Sequence, residues 1–269
     1  MFRRPMDFAG SWYPSGPDAC REDIESYWRE AGAPPVHGAR LAVVPHAGWV
    51  YSGRLAAQGF RALAEDPTVD LVVVLGGHLR SGDPIVAMTE GSWDTPFGPF
   101  AIHSGFSERL KQLEHVRFER DGRYAPDNST ELQLPFAKLK YPEAELLPLR
   151  VPPSDLALRL ARELAEHIVA TGRDAVVVAS TDLTHYGPNY GFQPKGRGLE
   201  ALNWVRTVND PAFIEALEKG DSRAILATSE HRHCACSAGA AGLASAVLEA
   251  AGFAAGGLAP RAMRWMVQK

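Results

Sequence analysis

Three short apolar runs constrain this chain more than any other feature: Leu41 to Val44, Leu71 to Leu75 and Ala175 to Ala179. Each is rich in valine or leucine and shows little alternation of apolar and polar residues. A strand with one face in water alternates. Unbroken runs this short therefore suit strands covered on both faces, as in a parallel sheet between helix layers. Helical patterns lie around them, over Asp18 to Glu30, Arg54 to Ala64, Asp155 to Ala170, Pro211 to Lys219 and Ser237 to Ala251, the last stopped by Gly252. Strand alternating with helix predicts an α/β sandwich with a mainly parallel central sheet. The segment from Ile85 to Ile102, which contains Pro96-Phe97-Gly98-Pro99-Phe100, reads as a loop-and-hairpin insertion. No Ser/Gly or Pro/Gln tract and no repeat of fixed period divides the 269 residues, so a single domain over residues 1–269 is expected.

Charge and composition remove several function classes. The net charge of −4 lacks the basic footprint of a nucleic-acid binder. No apolar run approaches the roughly 20 residues of a membrane helix. The N-terminal segment carries Arg3 and Arg4 but no apolar stretch behind them, so it does not read as a signal peptide. Cys20, Cys234 and Cys236 make no disulfide framework and fit a reducing compartment, with the cytoplasm as the expected location.

The functional signal sits where the apolar runs end. The first continues into Pro45-His46-Ala47-Gly48 and the second into Gly76-Gly77-His78. The third continues into Ser180-Thr181-Asp182-Leu183-Thr184-His185-Tyr186-Gly187. Open α/β sheets bind ligands outside the carboxyl ends of their strands. One histidine at such a position is commonly structural; three on three strands point to a shared site. A fourth element, His231-Arg232-His233-Cys234-Ala235-Cys236-Ser237, is dense in soft and borderline metal ligands and leads into the last helix. A cysteine at a helix N-terminus is favoured as thiolate, the ligating form, which singles out Cys236. Cys234 reads as a small buried residue. A structural zinc built from this segment alone is disfavoured, because Cys-x-Cys without a second pair is not a zinc-finger pattern.

These residues resemble a known family. The chain is identified as similar to the Memo family, whose bacterial and archaeal members are also called AmmeMemoRadiSam system protein B, and the resemblance covers nearly the whole chain. Ala9-Gly10-Ser11-Trp12-Tyr13-Pro14 is similar to the family's N-terminal motif, and Pro45 to Gly53 to its most specific segment. Leu75-Gly76-Gly77-His78 stands where the family usually has Gly-Pro-Ser-His. Asn128 to Phe136 resembles His-Ser-x-Glu-x-x-Leu-Pro-Phe, and Ser180 to Gly187 resembles a further family segment. The chain departs from the pattern at Gly77 for serine, Asn128 for histidine and Ser237 for glycine, and its end lacks the usual tyrosine-containing tail.

The resemblance implies the fold of class III extradiol ring-cleavage dioxygenases and a metal site of two histidines and one cysteine, here His46, His78 and Cys236. It places Asp182 and His185 beside the metal, with His185 as acid/base. It also implies one divalent metal ion per chain. Two histidines and one anionic ligand leave positions open on Fe(II), the favoured ion, while a thiolate also suits copper or zinc. With iron, the expected reaction is O2-dependent oxidation of a small molecule of phenolic character, in which His185 moves protons. The alternatives are a non-catalytic protein that holds a metal, peptide or small ligand in the same cleft, and a zinc hydrolase. The expected partner is a small, aromatic substrate, with no nucleic acid or membrane, and the family's name suggests a functional link to radical-SAM proteins.

Other residues invite a role beside a structural one. Glu131 suits a hydrogen bond to a metal-bound histidine, or a cap or ion pair. Tyr51 and Tyr186 suit substrate contact or packing. Trp12, Tyr13 and Trp49 suit an aromatic pocket floor or the core. His37, His103, His115 and His167 are read as solvated, as is the charged helix face from Arg159 to Glu166.

Overall fold

The computed structural model describes residues 2–31 and 38–250. His37, Gly252 and the C-terminal residues discussed above lie outside the described residues. The strands are β1 (Arg3–Arg4), β2 (Leu41–Val44), β3 (Leu71–Gly76), β4 (Ile85–Ala87), β5 (Ser92–Thr95), β6 (Gly98–Ala101), β7 (Val116–Phe118), β8 (Glu145–Arg150) and β9 (Ala175–Ser180). Six of them form the main sheet in the order β2-β9-β3-β8-β4-β7. All neighbours in it run parallel except β4 and β8. The small sheet β1-β5-β6 contains the expected hairpin, while β4, from the same segment, joins the main sheet.

The helices are α1 (Pro17–Ala31), α2 (Trp49–Ala62), α3 (Ser107–Lys111), α4 (Asn128–Glu131), α5 (Leu134–Lys140), α6 (Asp155–Thr171), α7 (Leu199–Trp204), α8 (Asp210–Lys219), α9 (Ser222–Arg232) and α10 (Ala238–Ala250). Strand β3 shows why the apolar runs do not alternate. Val72 and Val74 pack into a core with Ile24 of α1, Phe60 of α2 and Phe136 of α5. Leu71, Val73 and Leu75 pack on the other side with Leu160 and Leu164 of α6 and Leu243 of α10. Both faces are dry, so every position is apolar. No helix among the described residues is long and apolar enough to cross a membrane.

The sequence patterns do not announce β8 or α9, and α2 starts earlier than expected. Helix α2 begins at Trp49, five residues before the predicted start at Arg54. Tertiary contacts override the weak helix propensity of Trp49-Val50-Tyr51: the Trp49 indole packs 4.4 Å from Phe136 and donates to the Leu132 carbonyl. Strand β8 lies between β3 and β4 although it contains Pro148, which argues against a central strand. The backbone nitrogen of Pro148 faces the same side as the Leu146 carbonyl, which accepts from His103 N. On that side β4 pairs only with Leu149 and Arg150, so no ladder donor is missing.

The topology places β2, β9 and β3 side by side, all parallel. Their carboxyl ends, which carry His46, Asp182–His185 and His78, therefore meet at one edge. Helix α10 reaches the same edge because Gly239 lies against the backbone of Val151 and Pro152. A Cβ there would meet the Val151 carbonyl oxygen at 2.2 Å.

Candidate metal centre

His46 follows β2 and is buried. Its backbone N–H donates to Asp182 Oδ1 at 2.7 Å. Its Nδ1 lies 3.0 Å from the hydroxyl of Ser180, the last residue of β9, which also accepts from Gln133 Nε2. With Nδ1 hydrogen-bonded to Ser180, Nε2 is turned toward Cys236 Sγ, 3.2 Å away. Burial lowers the imidazole pKa to about 4, so near neutrality His46 is uncharged and has a lone pair to give.

His78 follows β3 and is exposed, with its ring 4.9 Å from that of His46 at 89°. Asn128 links the two. Its Nδ2 donates to the His46 carbonyl, which orients the amide so that Oδ1 accepts from His78 Nε2 at 3.1 Å. A neutral His78 then carries its proton on Nε2, and Nδ1 is left unprotonated. The turn before it needs glycine: Gly77 has φ +106°, and a Cβ would lie 2.8 Å from that of Arg150. Gly77 N donates to Ser129 Oγ, which donates to the buried Asp127 carboxylate. Burial pushes Asp127 up, but Arg150 and the Ser129 hydroxyl outweigh it and hold the carboxyl below its ordinary value.

Cys236 stands two residues before α10. Its backbone donates to the Asp182 carbonyl, and the Asp182 N–H donates back to Sγ at 3.2 Å. Thr181 Oγ1 and Ser237 Oγ lie 3.8 and 3.7 Å from the sulfur. Burial, reinforced by the charge of Asp182, pushes the thiol up to about 11. Asp182 Oδ2 lies 3.8 Å from His46 Nε2 and 3.5 Å from His185 Nε2. Burial pushes Asp182 up as well, yet its hydrogen bond with His185 and its pairing with His46 hold it at about 2.

Among the described residues two sets of donors thus form, each with its atoms within 4.8 Å of one another: His46, His78 and Cys236, and Asp182, His185 and Cys236. Two imidazoles and a thiol, one imidazole already oriented by a hydroxyl, fit a borderline-soft divalent ion. The site opens onto a cleft of about 480 Å3 lined by Cys236, His185, Tyr190, Phe192, His233 and Ser229, among others.

The remaining predicted residues distribute differently. Cys234 is buried beside Phe213 and Ile225, away from the site. Glu131 hydrogen-bonds to no histidine among the described residues; it accepts from the backbone of Asp7 and Phe8 and from the Tyr13 hydroxyl, tying the N-terminal segment to α4. Tyr13 and Trp49 belong to the core, Tyr51 and Trp12 are exposed, and Tyr186 bonds to Gly196 and Lys195. His115 is exposed as expected, and the charged residues Arg159, Arg162 and Glu166 of α6 face outward over a buried apolar stripe. His103 and His167 correct the expectation of solvated rings: both are buried, Nε2 to Nε2 at 2.9 Å. The sequence reading had no role for Ser180, Asn128 or Asp127. Ser180 shows only as a polar residue closing a strand, and Asp127 and Asn128 only as polar residues opening a short helix, signals that many turns share.

The chain matches a family model described as Memo-like protein over residues 4–252. It is 34% identical over 213 residues to a MEMO1 family protein of Pyrococcus horikoshii, covering 76% of this chain and 73% of that one. It is 35% identical over 233 residues to a MEMO1 family protein of Methanopyrus kandleri, covering 81% of each.

Proposed function

The chain belongs to the Memo family, and from that premise we propose that it is a non-haem, metal-dependent oxidoreductase of dioxygenase type. In this reading His46, His78 and Cys236 hold one divalent ion, natively Fe(II), and a small phenolic molecule occupies the adjoining cleft. The observation that supports it is the convergence of these three donors with the Asp182–His185 pair around Cys236, which lines an open cleft together with His185. A bound Fe(II) would supply the electron transfer and Lewis acidity that oxidation of a phenol by O2 needs.

The chain's own residues do the rest. Burial keeps His46 uncharged, and the tautomer that donates from Nδ1 to Ser180 would offer the ion a free Nε2. Cys236 is a thiol until an ion takes the sulfur, so binding releases a proton. Asp182 stays anionic and would steady the imidazolium formed when His185, which lines the cleft, takes the proton of a phenol. Tyr190, 4.7 Å from the His185 ring, walls the cleft beside it.

Elemental analysis of protein purified without air, wild type beside Cys236→Ala and His46→Ala, tests the site, and oxygen uptake with a catechol panel tests the reaction. The expected result is about one iron per chain, lost in both variants, with uptake in the wild type only. Iron without uptake would favour the non-catalytic binding role, and zinc with esterase activity would favour the hydrolase. Absence of stoichiometric metal, or metal retained by both variants, overturns the site.

A further inference from the structure

Beside the metal cleft lies a second pocket of about 420 Å3, lined by Phe192, Pro194, Trp204, Asn209, His231 and Arg232. Phe192 lines both cavities, so the two are neighbours. One wall of the second pocket is aromatic. The Phe192 and Trp204 rings lie 6.3 Å apart at 51°, and Tyr186 contacts both. Neither is sequestered in a core; both are half-buried. The charge of the lining is one-sided, with a guanidinium and an imidazole from the exposed Arg232 and His231 and no carboxylate.

Asn209 is the informative residue. It is fully buried, and its Nδ2 donates to Thr184 Oγ1 at 2.9 Å and to the Arg232 carbonyl at 3.1 Å. A carbonyl can only accept, so the amide orientation is fixed by these partners. Its Oδ1 is buried and has no hydrogen-bond partner. Buried acceptors are rarely left so, because an unmade hydrogen bond there loses the hydration of the group with nothing in return. Asn209 also ends a π-helical turn over Val205–Asn209, a rare conformation.

We propose that this pocket is a binding subsite for a planar aromatic carboxylate that carries an N–H or O–H donor. The ring lies against Trp204 and Phe192, the carboxylate meets Arg232 and His231, and the donor satisfies Asn209 Oδ1. Arg232 suits the carboxylate because its planar fork matches two oxygens at once. Asn209 also ties Thr184, in the loop that carries Asp182 and His185, to the segment leading to Cys236. The occupant therefore touches a residue that braces two arms of the metal centre. The subsite stands on its own observations; that its occupant is one end of the molecule presented to Cys236 rests on the reading of the metal cleft as a substrate site.

Binding measured directly, by NMR titration of the full chain treated with chelator, keeps the two questions apart. The probes are indole-3-carboxylate and its neutral counterpart indole-3-carboxamide. Wild type is expected to prefer the carboxylate by about tenfold, the worth of a charge-assisted hydrogen bond. Arg232→Ala removes the preference, and Trp204→Ala weakens both probes by at least about threefold, as loss of a stacking face should. Cys236→Ala leaves affinity and preference unchanged, whatever it does to metal content. Equal affinity for the two probes in the wild type, or no binding of either, overturns the proposal. So does a preference that survives Arg232→Ala, an affinity indifferent to Trp204→Ala, or binding lost in Cys236→Ala, which would put the probe in the metal cleft.

Discussion

Histidines gather at both edges of the main sheet, and the two gatherings have opposite character. At the amino ends of the strands, His103 Nε2 meets His167 Nε2, and His103 Nδ1 meets Glu145. Glu145 also takes Arg173, whose second nitrogen reaches Asp70 at 3.3 Å. This cluster is closed, with partners on both ring nitrogens of His103 and Phe106 and the His103 ring packed against His167. At the carboxyl ends, His46 is held by Ser180 on one nitrogen while the other faces a thiol, and His78 is exposed. A cleft opens beside them. The number of histidines is similar. What separates the edges is whether donor atoms remain for something other than the protein.

Cys236→Ala should show the largest difference between the edges. Removing one of the three proposed ligands should lower metal affinity by a hundredfold or more, on the order of 3 kcal/mol, since structural sites gain several kcal/mol per ligand. Competition with a fluorescent chelator measures it. His103→Ala should leave that affinity unchanged. Comparable loss in both variants would mean that the open edge is not where metal binds.

His167→Ala probes the closed edge. It should cost about 2–3 kcal/mol of stability, because it empties a packed site and strands His103 Nε2. It should also change the pH profile. Burial, then the neighbouring His103 and Arg109, lower the pKa of His167 in the folded protein. Below the unfolded pKa of 6.5 the unfolded chain therefore binds the proton first. Stability from this group is complete above that pH and declines as the pH falls through it. Denaturant titrations of chelator-treated protein between pH 7 and 5 should show a steeper loss for wild type than for His167→Gln. Parallel profiles would refute the assignment.

The difference between the edges also explains what could be read from sequence. Leu71–Leu75, flanked by turn residues and apolar at every position, leaves few structures open, and its exit into Gly76-Gly77-His78 follows from chain direction alone. Cys236 could be preferred to Cys234 because only one of them borders the helix start. His103 and His167 were not legible as a pair. They lie 64 positions apart, and each in isolation looks like a polar residue in a polar stretch. Sequence leaves the role of Glu131 open for the same reason, since its partners are at Asp7, Phe8 and Tyr13. Strand β8 was hidden by Pro148, whose tolerance depends on how short its neighbour β4 is. Local pattern carries a strand or a helix end; a partner brought in by topology leaves no mark beside the residue it serves.

Asn128→Ala should have a smaller effect than loss of a ligand. The side chain fixes the tautomer of His78 and holds the His46 carbonyl, so its removal should lower metal affinity about tenfold, the lower end for such orienting partners. Asn128→His, which restores the residue usual in the resembled family, should recover part of that loss if its ring accepts from His78. An unchanged affinity in Asn128→Ala would show that His78 orients without help.

The smallest expected effect is the sharpest check on whether the two edges are independent. Arg173 is partly exposed and bridges Asp70 and Glu145. Exposed ion pairs contribute little, so Arg173→Ala should cost about 0.5–1 kcal/mol in urea titration. Metal content should not change, because β3 and β9 separate Arg173 from the carboxyl-end donors, and distant sites without shared partners add independently. A drop in metal affinity in this variant would mean that the parallel strands transmit strain along their length. The closed cluster would then be part of the mechanism that sets His46 and His78, and the contrast between the edges would be one of exposure alone.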